Sequence, residues 1–371
     1  MAENRKQLTV NRKQSTVNRR LHVPAPIPPF PDDVDVGVVS HNGRQTLPRL
    51  FECLAAAGAP EERIRVYDVG STDGTKEWLA DAHPQVIVRR LDENVGPDPG
   101  RNWALRDASR PYLLLLDADA LLHPDAPARL RQSLDPAARV GTVTPVTLST
   151  PDVIQYAGGG LHFICEAINP FFGKALADRG TELLDICAAP AVALLIDVKA
   201  AHHIGLWDDR YFIGKEDGDF SFRLRMAGYR LVEDPKALVE HATRPRSTWL
   251  FRHQIRNRWH FLLKNYELRT LIVIAPALAG HELIQLGMLT VRGHLGIWWQ
   301  ALRELVSWMP TLRAERRVIQ GVRTVRDRDL LECGPLLVRP DIVGGEVGQA
   351  LKRAYDAWLR AYWAVARHLL S

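Results

Sequence analysis

Apolar residues follow two rhythms along the first 240 positions. Short continuous runs occur at Val34 to Val39, Ile64 to Asp68, Val86 to Arg89 and Leu113 to Leu116. Between them lie segments with helical spacing, such as Leu47, Leu50, Phe51 and Leu54, closed by Gly58. The runs predict strands buried on both faces, and the spaced segments predict helices that bury one face. Strand alternating with helix predicts an α/β fold with a mostly parallel sheet and right-handed crossovers. Polar loops then gather at the carboxyl edge of the sheet, where such folds bind ligands.

Each strand runs into a loop of small polar residues. The first ends in Ser40-His41-Asn42-Gly43, and the second in Asp68-Val69-Gly70-Ser71-Thr72-Asp73-Gly74-Thr75. The third leads to Asn94-Val95-Gly96-Pro97-Asp98-Pro99-Gly100-Arg101-Asn102, read as a loop with a helix after it. The leucine strand ends in Asp117-Ala118-Asp119. Alternate residues of an extended chain point to one side, so both carboxylates can face one divalent ion or the phosphates it carries. Taken alone, the pair also reads as the acidic opening of a loop.

Further along, Glu216-Asp217 places two acids side by side near the start of a helix that continues to Gly228, with Asp219 and Arg223 on it. Repulsion between close carboxylates raises the proton affinity of one, which suits a general base, while the helix dipole favours the same acids structurally. His241 closes the strand-like run that starts at Ala237. Gly158 to Gly160 and Asp185 to Leu195 flank a pocket or form plain turns.

The last third changes character. Trp249, Phe251, Arg252, Arg256, Arg258, Trp259, Phe261, Lys264 and Tyr266 alternate aromatic and basic positions. Residues 271–289 are apolar but broken by Pro276, His281, Glu282 and Gln285, so a helix lying in a membrane interface is expected rather than one that spans it. Trp298, Trp299 and Trp308 would anchor it, and Arg313, Arg316, Arg317, Arg323, Arg326 and Arg328 would face acidic headgroups. A helical subdomain docked on the sheet, or forming a homodimer, is the other reading. Val347 to Leu370 predicts one more amphipathic helix.

Charge sharpens this division. The net charge of +5 sums a basic start (+5 over residues 1–20), an acidic stretch (−10 over 21–243), a basic stretch (+9 over 244–330) and a nearly balanced end (+1 over 331–371). The acidic part needs a cation to hold a phosphorylated ligand, while the basic part suits an anionic membrane surface. Nucleic acid is not expected, since no recognised binding module accompanies the charge. Cys53, Cys165, Cys187 and Cys333 are scattered, which argues against a zinc site or disulfide framework and fits a reducing cytoplasm. The tandem NRKQLTV and NRKQSTV, followed by Pro24, Pro26, Pro28, Pro29 and Pro31, predict a disordered basic arm and linker over residues 1–31, with no leader pattern.

The succession Ser40-His41-Asn42, Asp68-x-Gly-Ser-Thr-Asp-Gly-Thr, Asn94-x-Gly with Gly100-Arg-Asn102, and Asp117-Ala-Asp119 resembles the nucleotide-sugar half of family 2 glycosyltransferases of the GT-A fold. The segment from Trp207 through Glu216-Asp217-Gly-Asp219 to Gly228-Tyr229 resembles the acceptor half. The resemblance covers about residues 34–265, and Val69, Pro97 and Pro99 depart from the usual pattern. It implies a GT-A domain over residues 32–245 and a C-terminal helical, membrane-interface region over 246–371. It also implies an inverting transfer from a nucleoside-diphosphate sugar to a cell-envelope glycan or lipid-linked acceptor, at the cytoplasmic face of a bacterial plasma membrane.

In that frame Asp119 is expected to ligate Mg2+ or Mn2+, which suit carboxylate and phosphate oxygens alike. Asp117 would bind the ion through water or hold the ribose, and His241 resembles a histidine that completes the metal site. Asp68 resembles the residue that reads the nucleobase; its other reading is a helix cap, a task for which Asp73 is better placed. Ser40, Asn42, Asn94 and Gly96 fall in the donor motifs. Arg101 either meets a phosphate or pairs with Asp98 at the surface. Asp217 is expected as the base, with Glu216 catalytic or structural. Two rivals are a sugar nucleotidyltransferase, for which Gly43 and Arg44 offer a poor triphosphate loop, and a catalytically silent membrane-bound scaffold.

Overall fold

The computed structural model describes residues 27–242, 248–337 and 345–370, so the basic arm and the start of the proline-rich link, with Pro24 and Pro26, lie outside the described residues. The chain opens with β1 (Val34–Ser40), α1 (Leu47–Ala56), β2 (Ile64–Val69), α2 (Thr75–Ala82), β3 (Ile87–Leu91), α3 (Asp98–Asp107) and β4 (Tyr112–Asp117). It continues with β5 (Ala120–Leu122), α4 (Ala126–Ser133), β6 (Val140–Thr150), β7 (Val153–Tyr156) and the small hairpin β8 (Gly160–Leu161) and β9 (Ala167–Ile168). Then come β10 (Leu184–Ile186), β11 (Ala193–Asp197), α5 (Val198–His203), α6 (Glu216–Met226) and β12 (Arg230–His241). The helices α7 (Leu250–Asn265), α8 (Leu268–Val291), α9 (Leu295–Gly321), α10 (Asp327–Leu330) and α11 (Gly345–Ala366) complete it.

Ten of these strands form one mixed sheet with the path β10-β12-β6-β11-β4-β1-β2-β3. Its half from β4 to β3 is parallel, and the register sets Ser40 opposite Asp68 and Val39 opposite Asp117. Three loops of different sequence origin therefore leave the sheet at one level. β4 sits mid-sheet with Leu113 to Leu116 almost wholly buried, because its two faces pack against separate apolar layers. β11 runs antiparallel between β4 and β6, and β12 returns parallel to β6. β12 also pairs with β5, setting His241 opposite Ala120, the residue after Asp119.

The predicted α/β class and mostly parallel nucleotide-binding half are found, with two local differences. Helix α3 begins at Asp98, so Gly100, Arg101 and Asn102 lie on a helix and not in the loop. Pro97 and Pro99 permit this, since proline is tolerated in a first turn whose N–H groups have no intrahelical partner. β12 begins at Arg230, seven residues before the predicted run, with a register irregularity between Asp234 and Leu238.

The C-terminal helices dock through buried ions as well as apolar contacts. Asp219 on α6 accepts from Asn265 Nδ2 at 2.7 Å and pairs with Lys264 Nζ at 2.8 Å, both from α7. Arg210 binds Glu315 of α9 at 2.5 Å, while Lys264 binds Asp208 at 2.7 Å. This interlocking ties the strand-side loop before α6 to α7 and α9. Leu115, fully buried in β4, reports on the core: Leu115→Ala is expected to cost about 2–5 kcal/mol, measured by urea unfolding.

Candidate active site

Arg101 stands at the centre of the carboxyl edge. Helix α3 carries it inward, and its Nη1 donates to Asp98 Oδ1 and to Asp217 Oδ1, both at 3.1 Å. Its Nη2 reaches Asp117 Oδ1 at 3.5 Å. The guanidinium thus joins the end of β4 to the first turn of α6, two segments a hundred residues apart. The Arg101–Asp98 pair is buried, not a surface pair. Burial works against the charge of Arg101, but Asp217, Asp117 and Asp98 outweigh it and raise its pKa.

The acids outnumber the cation that serves them. Burial pushes the Asp98 carboxyl well above the usual range despite Arg101. Burial likewise lifts Asp117 to about 6, with Arg101 opposing and Asp119 and Asp217 adding to the rise. Asp217 keeps a third of its side chain exposed, and its Oδ2 accepts the backbone N–H of Ala191 at 3.1 Å. One oxygen is therefore held by Arg101 and the other by the main chain, which fixes the carboxylate plane. Glu216 is buried beside it at the start of α6.

Asp119 lies across from the end of β12, with Oδ1 3.4 Å from His241 Nε2. His241 Nδ1 faces Gln155 Oε1 at 2.9 Å. An amide oxygen accepts, so Nδ1 carries a proton, and Nε2 faces the carboxylate, donating to it when the ring is protonated and turning a lone pair to it when the ring is neutral. Two acceptors at that separation repel unless a cation or proton lies between them. A histidine oriented by an outer hydrogen bond beside a carboxylate is a donor set suited to a divalent ion.

The donor-motif residues sit along the ends of β1 to β3. Ser40 is buried and its Oγ makes no hydrogen bond among the described residues. Asn42 accepts from Thr72 N at 2.8 Å, and its own N–H donates to Ser71 Oγ at 2.8 Å, stitching the first two loops together. Asp68 is fully buried; its Oδ1 accepts the Ser71 N–H at 3.0 Å, while Oδ2 makes no hydrogen bond and lies 3.8 Å from Arg90 Nε. Asp73 accepts from Thr75 N at 3.1 Å and Arg44 N at 2.9 Å, bracing the turn before α2; the N-cap position itself is Gly74, so Asp73 is not the expected cap. Asn94 accepts from Gly96 N at 3.0 Å; Gly96 has φ 93° and abuts the Phe212 backbone so closely that a side chain there would collide.

Other contributors carried no signal in the sequence. Gln155 and Ala191 act through position alone. Asn102, quoted in its motif without a role, clamps the backbone of Trp207, accepting from its N–H at 2.8 Å and donating to its carbonyl at 3.0 Å. Trp207 in turn stacks on Phe220 with ring centroids 3.6 Å apart. A second group of possible metal donors, Asp208, His260 and Glu315, lies elsewhere, but Arg210 and Lys264 already neutralise its carboxylates. It is an ion-pair node, and burial pushes His260 down to about 4.

Residues 35–189 match the glycosyl transferase family 2 model. The chain carries a family 2 glycosyltransferase domain. Among curated relatives, the N-acetylglucosaminyl-diphospho-decaprenol L-rhamnosyltransferase of Mycobacterium tuberculosis (strain ATCC 25618 / H37Rv) is 27% identical over 242 residues, covering 57% of this chain and 76% of its own. The poly-beta-1,6-N-acetyl-D-glucosamine synthase of Staphylococcus aureus (strain COL) is 24% identical, covering 53% of this chain and 47% of its own. A crystal structure of GalNAc-T7 with UDP, GalNAc and Mn2+ superposes with a TM-score of 0.52 at 18% identity, over 66% of this chain and 51% of that one, which shows the shared GT-A fold. The family match and the curated relatives together support an enzyme that transfers sugars.

The Asn102 clamp yields a test within this site. Asn102→Ala removes two buried backbone bonds and leaves their partners unsatisfied, so urea unfolding is expected to show a loss of about 2–3 kcal/mol.

Proposed function

We propose that the protein is a metal-dependent, inverting glycosyltransferase that moves a sugar from a nucleoside diphosphate to a hydroxyl of a cell-envelope glycan or lipid-linked acceptor. The observation that carries this reading is the convergence on Arg101 of Asp117, from the donor half, and Asp217, from the acceptor half. Asp119 and His241, with Asp117 beside them, would hold Mg2+ or Mn2+. When bound, the ion neutralises charge developing on the leaving diphosphate.

The chain's own groups supply the rest. Ser40, Asn42, Asp68, Asn94 and Gly96 bind the nucleoside end; the orphaned buried oxygens of Ser40 and Asp68 are available to a base or ribose. Arg101 orients the two acids. Asp217 accepts the proton of the attacking hydroxyl, and a single displacement with one base inverts the anomeric centre. Glu216, buried against the same turn, supports the position of its neighbour. The domain division at about residue 245 is retained in this reading, with the catalytic sheet before it and the helices after it.

The acceptor class and location follow from two supports. The mycobacterial relative is named for transfer onto N-acetylglucosaminyl-diphospho-decaprenol. The helices after residue 265 expose apolar side chains in number, among them Ile272 at 74% and Val291 at 89% on α8, Trp299 on α9 and Leu351 on α11. Helix α8 is long and apolar enough to cross a membrane, with 22% of its most apolar window buried. Docking on the cytoplasmic face of a bacterial plasma membrane covers these residues. Trp298 and Trp308, expected as anchors, turn inward: Trp298 Nε1 donates to Glu282 at 3.0 Å, and Trp308 stacks beside Arg256 and Tyr211. Arg316 and Arg323 are likewise committed to the Leu263 carbonyl and to Asp327, and Arg326 and Arg328 pair with Glu267 at 2.8 Å and Asp329 at 3.4 Å, leaving Arg313 and Arg317 for headgroups.

Two outcomes test the reading. Asp119→Asn should abolish metal-dependent binding of a nucleoside diphosphate in calorimetry, while Asp217→Asn should spare binding and lower turnover about a hundredfold or more; equal loss of both in Asp217→Asn would make it structural. The intact chain should float with vesicles containing anionic lipid, and Ile272→Glu with Val291→Glu should release it; an intact chain that stays in solution removes the membrane assignment.

A further inference from the structure

A second charged cluster lies beneath the base, between α6 and the apolar helices. Lys215 stands two residues before Asp217, with φ 75°, at the N-terminal end of α6. Its Nζ binds Glu166 Oε2 at 2.6 Å. Glu166 belongs to the turn of the β8–β9 hairpin, which packs Leu161 against Gly218 in the first turn of α6. Around the same carboxylate stand Arg258 of α7, with Nε 4.0 Å from Oε1, and His281 of α8, with Nε2 3.7 Å from it. Arg258 is the largest fully buried side chain, and its Nε and Nη1 make no hydrogen bond among the described residues. Its Nη2 is taken by Glu282 and Gln285.

Such an arrangement has a cost that a structural role alone leaves unexplained. A buried guanidinium is ordinarily saturated by acceptors, and two empty donors here sacrifice hydrogen bonds worth about 1–3 kcal/mol each. The three cationic or protonatable groups converge on a single two-oxygen acid that remains 27% exposed, so the cluster opens to solvent where Glu166 sits. A carboxylate fills part of this nest; a group with more oxygens and more charge would fill it fully.

The rim is apolar. His281 Nδ1 faces the hydroxyl of Tyr355 on α11 at 2.9 Å. On the same faces of these helices, three or four residues away, lie the exposed Ile284 of α8 and the exposed Leu351 and Trp358 of α11. An anionic head on an apolar tail matches a cationic nest with an apolar rim.

We propose that Lys215, Arg258 and His281 form the site for the diphosphate of a lipid-linked acceptor, occupied in the unliganded chain by the Glu166 carboxylate. The inference rests on the acceptor class proposed above. The tail lies along α8 and α11, the head displaces Glu166, and the sugar hydroxyl beyond the head extends toward Asp217. Glu166 is a built-in competitor, releasing Lys215 and Arg258 only to a ligand that brings greater negative charge.

The test uses the full chain carrying Asp119→Asn, so that the donor end does not capture the probe, titrated with farnesyl diphosphate and with farnesol in calorimetry. Farnesyl diphosphate is expected to bind at least about tenfold tighter than farnesol. Adding Lys215→Gln should weaken it about tenfold, and adding Glu166→Gln instead should tighten it about threefold or more, because the competing charge is gone. Equal affinity for the two probes, or affinity for farnesyl diphosphate unmoved by either variant, would overturn the proposal. Both variants alter partly exposed side chains, and a thermal unfolding curve on each verifies folding. Nucleoside-diphosphate binding by the unmodified chain, measured in parallel, reports on the donor reading separately.

Discussion

One arginine against several buried acids is the constraint on which the rest of the structure turns. Arg101 gathers Asp98, Asp117 and Asp217, and Asp119 adds a fourth acid nearby; one guanidinium does not serve them all, and burial raises the proton affinity of Asp98 and Asp117. A protein retains so unbalanced a cluster at a stability cost, which is characteristic of functional sites. The imbalance has a definite sign and place. It calls for a cation on the Asp117–Asp119 side, and it leaves Asp217 on the opposite side partly exposed, with one oxygen held by Arg101 and the other by the main chain.

The fold makes this convergence possible by placing strand ends at one level. β1, β2 and β4 run parallel, so Ser40, Asp68 and Asp117 emerge together. Two later strands complete the site, since the antiparallel β11 precedes the segment that leads to α6, and β12 carries His241 back to Asp119. The ionic links Asp219–Lys264 and Arg210–Glu315 then hold α6 and its preceding loop against α7 and α9. The C-terminal helices and the acids at the strand ends are therefore parts of one packed body.

Much of this was legible in the sequence because it rests on local pattern. Buried strands show as apolar runs, amphipathic helices as spaced ones, and the strand-end loops as clusters of Ser, Asn, Asp and Gly. The doubly buried leucine strand and its two terminal acids needed no tertiary information. What pattern conceals is pairing over distance. Arg101 reads as a phosphate ligand or a surface partner of Asp98, and not as a link between the two halves, since its other partners lie 16 and 116 residues away. Trp308 reads as a membrane anchor because its ring looks free until Arg256 and Tyr211 are brought against it. Helix α3 starts earlier than expected because two prolines signal a break locally but fit a first turn.

The claim that the acids from both halves of the chain serve one cation-held donor is open to a direct structural measurement. Crystals grown with Mn2+ and a nucleoside diphosphate, with data collected at the manganese edge, should give one strong anomalous peak between Asp119 and His241, with Arg101 still joining Asp117 to Asp217. A peak at Asp208, His260 and Glu315 instead, or no peak beside Asp119 with the nucleotide bound, would contradict it.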